Sequence, residues 1–337
     1  MQIQTALAKI VESKNLSREE SAQVFNLIMT GETTDAQIGA FLAAMRVKGE
    51  TAEELAGAAE TMRSLSSKVP LTSTEKLVDT CGTGGSGLKL FNISTAAALV
   101  AAGAGIAVAK HGNRKITSKT GSADVLVELG INIEAPIEVM QNALNEVGIC
   151  FCFAPLFHPA MRHVGPVRKS IEVPTIFNLL GPLCNPARAP YQVLGVGKPA
   201  LRSRLSQALS LLDIKKAYVV CGSDGLDEIT LAGNTDVTEV TPGSTTDTQW
   251  QPSMFGLAPA KLTGMEANNP EESATKIRAI LHGETGPGRD IVVINAAAAI
   301  SLAQPELSLA DCTAAAQQSI DDGAAFDVVK RFGQVTG

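Results

Sequence analysis

Apolar positions recur at helical spacing from the start of the chain. Ile3, Leu7, Ile10 and Val11 share one helical face. Ser17-x-x-Glu20 forms a capping box, with Val24, Leu27 and Ile28 inward behind it and a stop at Gly31. Thr34-x-x-Gln37 opens a third helix, carrying Ile38, Phe41, Leu42 and Met45 before Gly49. Thr51-x-x-Glu54 opens a fourth, with Leu55, Ala59 and Met62 inward. This succession predicts a bundle-like layer whose apolar faces pack together or against a second subunit. Nothing in the layer has a catalytic pattern.

Ser66 to Pro70 reads as a linker, and beyond it the period changes. Leu77–Thr80 is strand-like, Cys81–Gly87 is a loop, Asn92–Ala104 is an Ala-rich helix, and Ile106–Ala109 is a second strand. That is a βαβ unit. β-rich apolar runs recur at Ile149–Phe153, Gln192–Val196, Ala217–Val220 and Ile291–Ile294. Helical runs fall between them, at Leu201–Leu212 and Glu271–His282. The prediction is an α/β protein: a small N-terminal helical domain (1–70) plus a large α/β domain (71–337) with a mostly parallel central sheet covered on its faces. Thr241–Pro252, rich in Thr, Ser, Gly and Pro, reads as an irregular surface excursion.

Composition narrows the classes of function. With 28 basic and 34 acidic residues, the net charge of −6 argues against broad nucleic-acid or anionic-membrane binding. Any anion site must be a local basic patch. None of the six cysteines is spaced C-x-x-C, which reads as free thiols in a reducing compartment. The four histidines show no H-E-x-x-H spacing, so a zinc site is not expected. The start has no basic n-region, and no apolar run has membrane length. The chain therefore reads as cytoplasmic, with neither a membrane nor a nucleic-acid partner.

Four runs carry candidate chemistry. Gly82-Thr83-Gly84-Gly85-Ser86-Gly87 lies between a strand and the helix opened by Asn92-Ile93-Ser94-Thr95. Its glycines allow positive φ and close approach, and free N–H groups there form an anion cradle. The spacing is neither the dinucleotide fingerprint nor the Walker phosphate loop, and a plain strand–helix turn is the other reading. Lys110 to Ser122 sets four Lys/Arg residues among hydroxyls and glycines just after a strand, where open parallel sheets bind ligands. Asp227-Glu228, beyond another strand, is an oxygen-donor pair suited to Mg²⁺, or else an exposed acidic turn. In the run from His158 to Lys169, Arg168 suits a substrate carboxylate, and His158 either lines a pocket or is structural.

Taken together, these runs resemble the anthranilate phosphoribosyltransferase family, which shares its fold with pyrimidine nucleoside phosphorylases. The matching segments are Gly82–Gly85, Asn92–Thr95, Lys110–Arg114, Gly121–Asp124, His158–Met161, Val167–Lys169, Phe177–Pro182 and Asp224–Glu228. They stand in family order over nearly the whole chain. The resemblance implies transfer of a phosphoribosyl group from 5-phosphoribosyl 1-pyrophosphate to anthranilate, a step of tryptophan biosynthesis, with two Mg²⁺ ions per subunit. It implies donor contacts at Gly82, Gly85, Asn92, Ile93, Ser94 and Thr95. The same role falls to Lys110, His111, Gly112, Asn113, Arg114, Lys115, Ile116, Thr117 and Ser118, and to Ser122. It implies anthranilate contacts at Gly82, Asn113, His158 and Arg168, and metal contacts at Ser94, Asp227 and Glu228. Lys110 and His111 are the expected catalytic pair, one for charge on the leaving group and one for proton handling. Two donor positions depart from the family pattern: Ser86 stands where Asp is common, and Leu90 where Thr is common. The resemblance also implies a homodimer through the helical domain, with helices from the 160–185 region packed on it. The alternatives are a pyrimidine nucleoside phosphorylase and a non-catalytic nucleic-acid-binding relative.

Overall fold

The computed structural model describes residues 1–69, 76–114 and 120–337. The N-terminal pattern becomes helices α1 (Ile3–Val11), α2 (Arg18–Thr30), α3 (Asp35–Lys48) and α4 (Ala52–Ser64). All three capping boxes form. Ser17, Thr34 and Thr51 each accept from the N–H three residues on, and Glu20, Gln37 and Glu54 return the bond. Gly31 ends α2 in the left-handed region at φ 81°. Glu54 is also a buried anchor: it takes the Leu16 N–H at 2.8 Å and the Lys48 ammonium at 2.9 Å. The predicted linker is tied down, because the Ser67 N–H bonds to the Phe157 carbonyl and Val69 is buried. Its last residue, Pro70, lies outside the described residues.

The rest is an α/β assembly. It runs β1 (Val78–Gly82), α5 (Ile93–Gly103), β2 (Val108–Gly112), α6 (Ser122–Glu128), α7 (Ile137–Val147) and β3 (Ile149–Phe153). Short helices α8 (Ala154–Phe157), α9 (Gly165–Ile171) and α10 (Phe177–Leu180) lead to β4 (Tyr191–Gly195), α11 (Pro199–Ser210) and β5 (Lys216–Gly222). A hairpin of β6 (Thr235–Thr241) and β7 (Ser244–Trp250) precedes α12 (Pro270–Leu281), α13 (Pro287–Ala303), α14 (Leu309–Asp321) and α15 (Ala324–Thr336). The described strands form one sheet in the order β3-β2-β1-β4-β5-β6-β7. Pairing is parallel from β3 through β5 and antiparallel beyond. One face of the sheet packs on α5 and α13–α15. The other joins α11, α9, α10 and the helical layer in a single apolar cluster.

Three expectations need correction. Ile291–Ile294 is not a strand but part of α13, whose residues from Ile291 to Ala303 are all buried. A helix enclosed on every side has no polar face, so a short β-branched run inside it reads like a buried strand. Thr241–Pro252 is not irregular: it closes the hairpin through a turn at Pro242-Gly243 and forms β7, paired from Thr241↔Ser244 to Thr235↔Trp250. Its Ser and Thr residues suit an exposed edge strand, where β-branched side chains fit the pleat and polarity discourages further pairing. Finally, β2 runs on through Gly112, so Lys110 and His111 are strand residues rather than loop residues. Alternation along the strand then sends their side chains to opposite faces.

The chain order reverses between β1 and β4. β2 and β3 lie on one side of β1, and β4 and β5 on the other. Ligands in open α/β sheets bind beyond the carboxyl ends of strands at such a switch point. Here the strand ends are the register partners Gly82 and Gly195. No helix among the described residues is long and apolar enough to cross a membrane.

Candidate functional site

A cleft of about 770 Å³ opens at this switch point. One wall is the glycine loop. Gly84, Gly85 and Gly87 take φ of 65°, 82° and 77°, conformations that side chains resist. The Thr83 N–H bonds to the Gly195 carbonyl at 2.9 Å, which continues the β1–β4 ladder into the loop.

The acidic pair sits against bare backbone. A Cβ on Gly195 would overlap the Asp227 carbonyl, and one on Gly197 would lie 2.7 Å from Ser86 Cα. A Cβ on Gly82 would lie 3.4 Å from Asp227 Oδ2. These glycines let the Asp227-Glu228 segment and the glycine loop close on β4. Burial pushes Asp227 up, opposed by hydrogen bonds from the Ser86 side chain and the Gly84 backbone. Burial and the charge of Asp227 push Glu228 up to about 8, while Lys110 and Ser94 pull it down. Glu228 Oε1 accepts the Ser94 N–H at 3.2 Å. Two adjacent half-buried carboxylates repel one another until a cation neutralises them. With the nearby Ser94 hydroxyl they form an all-oxygen donor set that fits Mg²⁺. The pair is a half-buried carboxylate corner rather than a fully exposed turn.

Lys110 reaches from β2 toward the same corner. Its ammonium donates to the Thr80 carbonyl and lies 3.2 Å from Ser94 Oγ. Burial lowers its pKa, against the pull of Asp79 and Glu228. Asp79 is buried one strand away, where it accepts the His111 N–H at 3.1 Å and the Gln192 amide at 3.3 Å. A buried cation among carboxylates, directly behind the start of α5, supplies fixed positive charge to the cleft.

The opposite face of β2 carries a different surface. The His111 ring meets the His158 ring at 5.2 Å between centroids. His111 Nδ1 lies 3.0 Å from the Gly181 carbonyl oxygen, so this nitrogen carries the proton. Burial, with His158 adding to it, lowers His111 to about 3, and burial lowers His158 to about 4. Both rings are neutral at physiological pH, and His111 Nε2 is a bare lone pair. Neither Nε2 atom has a hydrogen-bond partner among the described residues. Beside them, the Arg168 guanidinium stands 5.3 Å from the Phe177 ring centre and has no acidic partner among the described residues. Burial lowers its pKa, and it faces the cleft. The Asn113 oxygen is taken by the Arg114 N–H at 2.8 Å, and its Nδ2 has no partner among the described residues.

Most of the expected residues converge here. Among those described, Gly82, Gly85, Ser86, Leu90, Asn92, Ile93 and Ser94 line the cleft. Lys110, His111, Gly112, Asn113, Arg114, Ser122, His158, Arg168, Asp227 and Glu228 complete it. Thr95 does not line the cleft: its hydroxyl is buried without a partner among the described residues, and only its N–H at the helix start is available. Arg114 is at the rim and already faces Asp124 at 3.4 Å and Glu134 at 2.9 Å. Lys115, Ile116, Thr117 and Ser118 lie outside the described residues. The sequence reading gave no cleft role to Met62 from the helical layer, to Asn178, or to Ala267, whose N–H pairs with the Lys89 carbonyl. They arrive from distant segments, and no local pattern announces them.

Comparison with known proteins agrees with this architecture. A family model described as "Glycosyl transferase family, helical bundle domain" matches residues 4–66, and one described as "Glycosyl transferase family, a/b domain" matches 74–326. The anthranilate phosphoribosyltransferase of Herpetosiphon aurantiacus is 49% identical, over 98% of each chain. That of Syntrophobacter fumaroxidans is 47% identical, over 99% of each. Among solved structures, anthranilate phosphoribosyltransferase from Thermus thermophilus superposes with a TM-score of 0.91 at 40% identity, covering 98% of this chain and 99% of that one. The Saccharomyces cerevisiae enzyme in complex with PRPP and Mg gives 0.90 at 28% identity, covering 99% and 97%. Fold and site thus define a two-part glycosyl transferase. Within that class, the chain belongs to the anthranilate phosphoribosyltransferase family.

Proposed function

We propose that this protein transfers the phosphoribosyl group of 5-phosphoribosyl 1-pyrophosphate to the amine of anthranilate. The products are N-(5-phosphoribosyl)anthranilate and pyrophosphate, as in tryptophan biosynthesis. One observation carries the reading: a single cleft joins a carboxylate pair at a helix start to a corner where Arg168 stands with the neutral rings of His111 and His158.

The donor's pyrophosphate belongs at the glycine loop and the start of α5, where the Thr95 N–H has no partner among the described residues and favours an anion. Ser94, Asp227 and Glu228 would hold Mg²⁺, two ions per subunit with Glu228 shared, and the metal supplies positive charge to the departing pyrophosphate when bound. Lys110 adds charge from behind through Ser94. Arg168 takes the anthranilate carboxylate, and Asn113 Nδ2 and His158 flank the ring. His111 Nε2 accepts an amine N–H, which orients the nitrogen lone pair toward the anomeric carbon. Such positioning contributes several kcal/mol without covalent catalysis. The transition state is oxocarbenium-like by analogy with other glycosyl transfers. With its pKa near 3, His111 is too weak a base to ionise the amine, so the proton leaves after C–N bonding.

A second subunit on the helical layer (residues 1–70) would make the protein a homodimer. Asn113, Arg168 and the Asp227-Glu228 pair favour the transferase over the phosphorylase, and the −6 charge disfavours nucleic acid. The test is loss of anthranilate fluorescence on mixing with donor and Mg²⁺, abolished by chelator. Unchanged fluorescence together with phosphorolysis of thymidine would reverse the assignment.

A further inference from the structure

Helix α12 reaches the donor side of the cleft from far along the chain. Ser273, in its first turn, is fully buried against Asn92. The Ser273 hydroxyl accepts the Asn92 main-chain N–H at 2.9 Å and donates to Asn92 Oδ1 at 3.0 Å. Asn92 is the N-cap residue of α5, where an Asn oxygen ordinarily turns onto an N–H of the first turn. Here it makes no such bond. Its oxygen is committed to Ser273, so the Nδ2 end, without a partner among the described residues, is left for the cleft that Asn92 lines. The Thr95 N–H, which an Asn cap would occupy, stays open.

We infer that Ser273 is a positioning residue for the donor's pyrophosphate: it holds Asn92 off its own helix, keeping the start of α5 open to an anion. The inference rests on the donor site proposed above. Ser273 is not in the cleft lining and acts only through Asn92. Without the serine hydroxyl, Asn92 can rotate onto α5 and compete with phosphate for the Thr95 N–H.

The test uses the full chain with Ser273→Ala, Ser273→Thr, Asn92→Ala and the Ala/Ala double variant. Ser273→Ala should raise the donor KM and weaken pyrophosphate binding, measured by calorimetry with Mg²⁺, by about tenfold, the scale of one hydrogen bond. The anthranilate KM should stay put, and thermal melting should not fall. Ser273→Thr keeps the hydroxyl and should restore donor KM. The double variant should be no worse than Asn92→Ala alone. Wild-type donor KM and pyrophosphate affinity in Ser273→Ala would overturn the inference, as would losses that simply add in the double variant. Failure of the unmodified protein to consume anthranilate would instead strike at the functional reading.

Discussion

The Ser94 main-chain N–H donates to Glu228 Oε1 at 3.2 Å, joining the start of α5 to the acidic segment beyond β5. The bond sets a helix start beside the carboxylate proposed above to hold metal. Replacing both Asp227 and Glu228 by Ala should therefore abolish turnover at every Mg²⁺ concentration. Activity that still responds to a magnesium titration would show that the metal is held elsewhere.

Arg168 lies against Phe177 with its charge unspent. Arg168→Ala should raise the anthranilate KM roughly a hundredfold, the ~2.7 kcal/mol of a charge-assisted pair, and leave the donor KM nearly unchanged. Steady-state kinetics with each substrate varied separately decide the matter. Equal rises in the two constants would contradict a carboxylate role.

Gly195 has no room for a side chain beside the Asp227 carbonyl. Gly195→Ala should push the acidic segment away from β1 and β4 and lower kcat by about a hundredfold or more, a barrier increase of ~2.7 kcal/mol. Circular dichroism would show that the sheet persists. A fully active Gly195→Ala enzyme would mean that the acidic segment does not depend on this contact.

His158 gives a pH signature. Burial holds its folded pKa near 4, below the ordinary 6.5. Between those values the unfolded chain binds a proton that the folded chain refuses, so His158 costs stability as pH falls through the window. His158→Gln should flatten the pH dependence of unfolding free energy there by about 1.4 kcal/mol per pH unit. Denaturant titrations at several pH values between 4 and 6.5 measure it, and parallel curves would show that His158 is not held neutral.

Much of this was legible in the sequence because it is written locally. The capping boxes at Ser17, Thr34 and Thr51 lie within four residues, and the glycine loop and Asp227-Glu228 are contiguous. The rest depends on distant pieces. Gly195 and Gly197 look like ordinary strand-end glycines until Asp227 and Ser86 pack on them. Ser273 is an unremarkable helix serine until the fold brings it to Asn92, 181 positions away. Lys110 and His111 read as members of one loop, whereas β2 sends one toward Ser94 and the other toward the Gly181 carbonyl. Ile291–Ile294 misled because complete burial erases the periodicity that separates helix from strand.

The central claim is that one cleft holds the diphosphate and the aromatic acid side by side. A crystal structure with Mg²⁺, donor and a non-reacting anthranilate analogue tests it most directly. The pyrophosphate should lie between the Gly82–Gly87 loop and the start of α5, with metal at Glu228 and the analogue's carboxylate on Arg168. Donor density away from both the glycine loop and α5, or an analogue remote from Arg168, would contradict it.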